Sequence, residues 1–495
     1  MSSINSDYMS SMVLQSLKRT DLQMTDAMQK LSTGKRINGA GDDAAGLSIA
    51  AKLRAQVNGL KAATKNASDA LAMVGTIEGA LEETTDMLQR MRQLSVQAAS
   101  DTNTGTDRAY LQDELNQLTT EINRISNNTE FNSTKLLDGT FTDKIIQIGT
   151  ASNQVLRLGV ASTDSGTLGT YQIYSDNETT AATDSHAVAK AGLNDLMSAD
   201  ADYVVKGSFG TQTATVDGGA DARDVAAAFN IVSGTTGVLA AAITRAKLTF
   251  ASAATYTFTL EGKSSTASTV TATLTATSDL TSIKDAINAV SGATGITAAL
   301  TTDKAGINIV QEEGYDIIVG DMLGGNATVQ SMDRDENLDA AGAKTLTAGG
   351  NDSCGVMGQV TLSSHQAFTV TPGDTGNAFS ANTAEESSAL KGISSVNLTT
   401  KTGATNALAI IDGALAMVSE VRSSMGAADN RLKSTIDNLT NIAVNAQASL
   451  AAIEDANFAE ETSNLTKAQI LQKASTAMLA QANRGKEGML ALLQN

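Results

Sequence analysis

Tryptophan is absent from the 495 residues, proline and cysteine occur once each, histidine twice, and aromatic residues make up 3%. The single thiol, Cys354, excludes an intramolecular disulfide and any multi-thiolate metal site, so a chain working outside the cell would hold together without covalent staples. His186 and His365 leave little material for proton chemistry near neutral pH. One proline, Pro372, stands where average usage of about 5% would give roughly 25, so long uninterrupted helices are expected. The residues after Met1 are polar, with no basic flank or apolar run, and no window reaches about 18 uncharged apolar residues. Neither a cleaved signal peptide nor membrane insertion is expected. Basic residues are outnumbered 35 to 53, and the net charge of -18 argues against nucleic acid as a partner, because phosphate binding needs clustered Lys and Arg. The first forty residues nevertheless carry five basic against three acidic side chains, so the negative excess lies in the interior of the sequence and the tails are near neutral.

Two stripes of apolar and small residues dominate what is present. From Leu60 to Ala98 they alternate steps of three and four through Val74, Ile77, Leu81 and Leu88 without a slip, which is a heptad seam. After a Thr-, Asn- and Gly-rich break at 101–106 the spacing resumes at Leu111, Leu115, Leu118, Ile122 and Ile125. Far downstream the register runs from Leu408 through Leu432, Ile436 and Leu439 to Ile453, interrupted at Arg422 and Asp429. Stripes of that length cannot be hidden in one compact domain, so they are expected to bury each other in a rod-shaped bundle that brings the two ends of the chain together. Outside them, Leu14, Leu17, Met24, Met28 and Leu31 keep a/d spacing with Asp21 in one core slot, and Leu471, Ala474, Met478 and Ala482 share one face before the chain ends on Met489, Leu490, Leu492 and Leu493. These tails lean on Ala, Met, Ser and Gln; each alone is a marginal helix, and disorder is expected until a partner arrives.

Between about 130 and 400 the period changes. Residues 131–160 read as hairpins, with the turn at Asp138-Gly139 and apolar runs on either side of 149–153. Residues 200–320 are rich in Thr, Val and Gly in short alternating stretches. Inside them, 221–238 (DARDVAAAFNIVSGTTGV) and 279–296 (DLTSIKDAINAVSGATGI) repeat, sharing Asn230 with Asn288, Ser233-Gly234 with Ser291-Gly292 and Thr236-Gly237 with Thr294-Gly295. Each copy reads as a short helix, a Ser-Gly stop and a strand, with repeats near 200–255 and 256–320. The expected fold class is α+β and multidomain: a long antiparallel coiled-coil bundle formed by both termini, with a β-rich central insertion containing a duplicated small α+β module.

Three segments resemble bacterial flagellin: Leu31-Ser-Thr-Gly-Lys-Arg-Ile-Asn38 with Asp42-Asp-Ala-Ala-Gly-Leu47, Phe131-Asn-Ser-Thr-Lys-Leu-Leu-Asp-Gly139, and Leu465-Thr-Lys-Ala-Gln-Ile-Leu471 with Thr476-Ala-Met-Leu-Ala-Gln-Ala-Asn483. The match covers roughly 1–160 and 400–495, and the interior is similar to the family's variable insertions. The resemblance implies a non-enzymatic subunit that polymerises into the flagellar filament for swimming, is secreted unfolded through the flagellar export apparatus with an export chaperone, and assembles under a filament cap. It further implies an inner coiled-coil layer from 1–44 and 455–495, whose filament interface would include Leu14, Leu17, Met24, Met28, Leu31, Leu471, Ala474, Met478 and Ala482. A helical shell from 45–175 and 400–454 and an outer region from 176–399 would complete the subunit. The segment Gln89-Arg-Met-Arg-Gln-Leu-Ser-Val-Gln97 with Glu114 looks like the part of flagellin bound by Toll-like receptor 5, and Arg90, Leu94 and Glu114 match the residues credited there. Gln93 and Ser95 depart from the Glu and Ala common in strong agonists. A hook-filament junction protein with similar coiled ends, and a flagellin with an adhesive outer domain, are the competing readings.

No cofactor or metal is expected. Neither histidine belongs to a His-Glu-x-x-His pattern, and Gly34-Lys35-Arg36 lacks the rest of a phosphate loop and reads as a flexible joint. Asp42 reads as a helix cap. The cluster Asp333, Asp335, Glu336 and Asp339 begins like a calcium loop but has Leu338 where Gly is needed and Lys344 where the bidentate Glu belongs, so a solvated loop is expected.

Overall fold

The computed structural model describes residues 8–175, 183, 201–338, 342–373, 379 and 384–493, without the side chains of Met9 and 485–493. Among the described residues five helices exceed twenty residues: α1 (Tyr8–Thr33), α2 (Ala44–Ala99), α3 (Gly105–Asn128), α4 (Lys401–Glu454) and α5 (Phe458–Leu493). Helices of 56 and 54 residues persist because no proline interrupts them. Their ends are chemically fixed. Asp43 Oδ1 accepts from the amide of Gly46 at 2.8 Å and so caps α2. Asp42, the cap expected from sequence, instead accepts from the amides of Asn38 and Gly39 at 2.8 and 2.9 Å and ties the preceding turn. Thr104 and Asp107 form a capping box on α3, while Arg108 donates to the carbonyls of Ala98 and Ser100 that end α2 and its turn.

The chain partitions into two compact units. The first comprises Met1–Gly75, Asp143–Leu158 and Ala427–Asn495. In it the seam of α2 buries Val57, Leu60, Ala63, Ala67, Ala70 and Val74, and α4 contributes Leu432, Leu439, Ala446 and Leu450, with Ile436 half-buried. The strands Lys144–Gln147 and Val155–Leu158 form the hairpin expected around 149–153, held to α2 where Asn66 Nδ2 donates to the Gln147 carbonyl at 3.1 Å. Asp429, one interruption of the stripe, pairs with Lys433 one turn along at 2.7 Å. The tails differ from expectation. Both α1 and α5 are helical in the single chain and pack on one another, because each offers the other a seam that neither could bury alone.

The second unit comprises Thr76–Thr142 and Gly159–Gly426. Its helical part buries Ile77, Leu81, Leu88, Met91 and Leu94 of α2, Leu115 and Ile122 of α3, and Ile411, Ala414 and Val418 of α4, with Leu118 half-buried. The antiparallel sense of α2 and α4 is marked by Glu78 with Arg422, Arg92 with Asp412, and Asp101 with Lys401, at 2.7, 2.6 and 2.7 Å. Arg422, the other interruption, therefore keeps its charge by reaching an acid on the facing helix. One 18-residue window of α4 reaches a mean hydropathy of 1.3, enough by length and composition alone to cross a membrane. Of that window 33% is buried, and Ala407, Ile411, Ala414 and Val418 of this helix are fully buried inside the unit.

The first tight turn after α3 falls at Asn132-Ser133, both at positive φ between Glu130–Phe131 and Thr134–Lys135, and not at Asp138-Gly139 as the sequence suggested. Asp138 instead accepts from the amide and hydroxyl of Thr140. Farther on, the strand Leu239–Phe250 pairs with Gln359–Ser364, Ile307–Gln311 and Ala327–Ser331 and so organises an eight-stranded sheet, flanked by two four-stranded sheets. Gly413 of α4 lies so close to the strand Gly169–Tyr174 that a Cβ there would stand 2.6 Å from the Gly169 carbonyl oxygen.

The repeat is a repeat of structure. Strands Ala201–Lys206 and Thr211–Val216, helix Ala222–Ile231 and the start of Leu239–Phe250 correspond to Thr255–Glu261, Ser268–Thr273, Thr281–Ala289 and Ile296–Leu300. Ser-Gly is not the stop. A further helical turn runs over Ser233–Thr236 and Ser291–Thr294, and the chain leaves it at Gly237 and Gly295, with φ of +74° and +69°. The shared asparagines explain themselves: Asn230 bonds both the amide and the carbonyl of Ala240 at 2.9 and 2.8 Å, and Asn288 does the same to Ala298 at 2.8 and 2.9 Å.

Candidate functional site

Helices α1 and α5 pack on one another. The inward seam of α1 runs through Val13, Leu17, Thr20, Met24, Ala27 and Leu31, of which Thr20 and Ala27 are fully buried. That of α5 runs through Leu465, Ala468, Gln472, Ser475, Leu479 and Ala482. The residues singled out from sequence thus divide. Leu17, Met24, Leu31 and Ala482 face the chain's own partner helix, whereas Leu14, Met28, Leu471 and Met478 are 52%, 52%, 41% and 61% exposed and Ala474 is exposed with them. The expected face of α5 is one position out of phase with its intrachain seam, because Ala, Ser and Gln give two stripes of nearly equal apolarity there. Asp21 is satisfied by Gln472 Nε2 at 2.7 Å, a partner that an acid in a core slot already demanded. The terminal Met489, Leu490, Leu492 and Leu493 have side chains outside the described residues.

A polar clasp closes the ends of these helices, and the sequence reading missed it. Gly34 leaves α1 at φ +69°, its carbonyl accepts the Ala456 amide at 2.9 Å, and the Arg36 amide donates to the Glu454 carbonyl at 2.6 Å. The Glu454 carboxylate is buried and receives Lys35 Nζ at 2.6 Å and Arg54. Those two cations, Lys35 first, hold its carboxyl below the ordinary glutamate range. The Gly34-Lys35-Arg36 joint is therefore held, not loose. The available signal was Glu454 itself, an acid at the end of an otherwise apolar register.

In the second unit Arg90 Nε donates to Glu114 Oε1 at 2.7 Å, and both side chains are about half exposed. Leu94 is fully buried, so it packs the bundle and presents nothing to an outside partner in this conformation. Ser95 is buried too, its hydroxyl bonded to the Met91 carbonyl, and Gln93 accepts from Arg90.

Glu336, at φ +66°, accepts from Arg245 at 2.9 Å and from the Thr402 hydroxyl, and Asp335 accepts from Asn406 Nδ2 at 2.9 Å. The loop expected to be solvated is thus docked on the first turns of α4, its acids occupied by protein donors; Asp339 lies outside the described residues. Cys354 is buried in an apolar cluster, which pushes its thiol up to about 12. His365 lies 3.7 Å from Glu420, and His186 is outside the described residues. Among the described residues no cluster of three His, Cys, Asp or Glu could hold a metal ion.

The profile of the bacterial flagellin N-terminal helical region matches residues 4–142 and that of the C-terminal helical region 408–493, the stretches that build the long helices. The flagellin hook IN motif matches 257–312, the second copy of the module. B-type flagellin of Pseudomonas aeruginosa is 33% identical over 99% of both chains, and flagellin of Salmonella typhimurium 32% identical over 99% of both. A solved structure of FliC from Burkholderia pseudomallei covers 73% of this chain and 99% of its own at 17% identity with a TM-score of 0.29, too low to carry argument. Fold and matched ends together define a structural subunit that polymerises with copies of itself. The chain belongs to the bacterial flagellin family and is a subunit of the flagellar filament.

Proposed function

We propose that the paired tails are the chain's filament interface, with 1–44 and 455–495 forming an inner layer, 45–175 and 400–454 a surrounding shell and 176–399 an outer region. The observation that carries this reading is the exposure of Leu14, Met28, Leu471 and Met478 on two helices that already bury their other stripe against each other. Ordering backbone costs about 1–2 kcal/mol per residue, and the intrachain seam offsets part of it. Neighbouring copies that cover the second stripe supply the rest at about 25 cal/mol per Å². Folding of the tails is in this way completed by assembly.

Export follows from the same economy of structure. A chain with one cysteine and one proline has no disulfide to reduce and a single X-Pro bond to slow refolding. That suits secretion unfolded through the flagellar export apparatus, with a chaperone on the tails and folding under the filament cap. The full-length double variant Leu14→Asp with Met478→Asp tests the interface. It is expected to keep the helical content of the monomer and to yield no pelletable polymer on seeding with filament fragments. Normal growth would sink the reading.

Recognition by Toll-like receptor 5 is proposed for the exposed Arg90–Glu114 pair, with Leu94 acting beneath it as a packing residue. Arg90→Ala in purified monomer is expected to lower reporter-cell response at least tenfold. Equal responses from variant and wild type, or none from either, would refute it.

A further inference from the structure

Asparagine followed by glycine is the dipeptide most prone to close on itself, because a residue without Cβ lets its amide nitrogen reach the preceding side-chain carbonyl carbon. The pair occurs twice, at Asn38-Gly39 and Asn58-Gly59, each after a β-branched apolar residue, Ile37 and Val57. Their settings differ. Asn58-Gly59 lies well inside α2, and a Cβ on Gly59 would stand 2.9 Å from the Thr150 side chain, so the helix would have to unravel before the pair could react. Asn38-Gly39 lies in the irregular linker between α1 and α2, where no helical ladder holds it.

In that linker the two reacting groups have separate partners. Asn38 Nδ2 donates to the Lys35 carbonyl at 2.9 Å. The Gly39 amide donates to Asp42 Oδ2 at 2.9 Å, beside the Asn38 amide at 2.8 Å. Those two amides, that of Asn38 first, keep the Asp42 carboxyl below the ordinary aspartate range, so it remains an ionised acceptor and a weak base. Ring closure must therefore break one hydrogen bond on each side.

The anchor of the Asn38 side chain belongs to the clasp. Lys35 forms a backbone bridge with Asp455 and sends its ammonium to Glu454 at 2.6 Å, while Gly34 and Arg36 on either side bond Ala456 and Glu454. Whatever parts residues 34–36 from 454–456 frees the Asn38 amide as well.

We propose that Asn38-Gly39 is a self-modification site gated by the clasp: closed, it keeps the two groups on separate partners, and open, it lets the Gly39 nitrogen attack Asn38 Cγ. The new N–Cγ bond forms as the Cγ–Nδ2 bond breaks, and ammonia leaves with the amide proton. Water then opens the five-membered imide at either carbonyl, giving aspartate or isoaspartate. Either product puts a carboxylate oxygen where Nδ2 donated to the Lys35 carbonyl and adds charge beside Asp42. A chain kept with its tails apart is thereby marked, and its joint does not close as before.

The test follows both asparagines of the full-length chain by peptide mass analysis at mildly alkaline pH. In denaturant they are expected to deamidate at similar rates. In the native chain Asn38 should react at least about tenfold more slowly than in denaturant, since the observed rate is the chemical rate scaled by the open fraction and two hydrogen bonds must break. Glu454→Gln, which removes the charge that holds Lys35, and Asp42→Ala, which frees the Gly39 amide, should each raise the native rate at Asn38 about fivefold and leave Asn58 unchanged. The variants act on different anchors, so if one also speeds Asn58, and is thus misfolded, the other decides. A native rate at Asn38 equal to that in denaturant, or one that no soundly folded variant moves, would overturn the proposal.

Discussion

Removing residues 1–35, or 460–495, is expected to abolish filament formation completely while leaving a soluble protein. Either deletion takes one partner of the α1–α5 pair and strips the other of its inward seam, including Ala27 or Ala468. Loss of 1–35 also takes Lys35 from Glu454. The remaining helix, rich in Ala, Ser and Gln, falls back to marginal stability in water. The opposite outcome is expected when 176–387 is replaced by a short turn. The strands Gly169–Tyr174 and Ala389–Gly392 are already antiparallel, with Gln172 opposite Ala389, so a few residues can close them as a hairpin. Assembly should survive. Seeded growth followed by sedimentation measures both arms, and pelletable polymer from either tail deletion would contradict the scheme.

Leu88→Ala is expected to destabilise the second unit by about 2–5 kcal/mol, the cost of a cavity where a fully buried side chain stood. Leu14→Ala, by contrast, should change monomer stability by no more than about 0.5 kcal/mol, since its side chain is half exposed. Denaturant midpoints of monomer measure both. Equal losses would mean that the distinction between bundle seam and assembly surface is misplaced. The same pair should reverse in filaments, where Leu14→Ala weakens polymer and Leu88→Ala acts only through the subunit.

Much of this was legible in sequence because it depends on period. A strict three-four alternation from Leu60 to Ala98 can be satisfied only by a helix that buries that stripe, and Val74, Ile77, Leu81 and Leu88 are buried accordingly. The duplicated module was legible for a different reason. Asn230 and Asn288 recur because each must meet an amide and a carbonyl at once, a demand few side chains fill. Local capping was legible only to within a residue. Asp42 and Asp43 are chemically identical, and the turn over 38–42 decides which carboxylate faces the first amides of α2.

By itself, then, the sequence determined the long helices, the seams of α2, α3 and α4, the duplicated module and, through the matched motifs, the family. Tertiary structure alone decided which stripe of α5 faces inward, because alternative faces built from Ala, Ser, Gln and Leu differ too little in apolarity for periodicity to rank them. It alone buried Leu94 while leaving Arg90 and Glu114 half exposed, which adjacent positions in a receptor-like segment cannot reveal. It also joined Lys35 and Arg54 to Glu454 across some four hundred residues, since a charge declares its sign in sequence but finds its partner only in space.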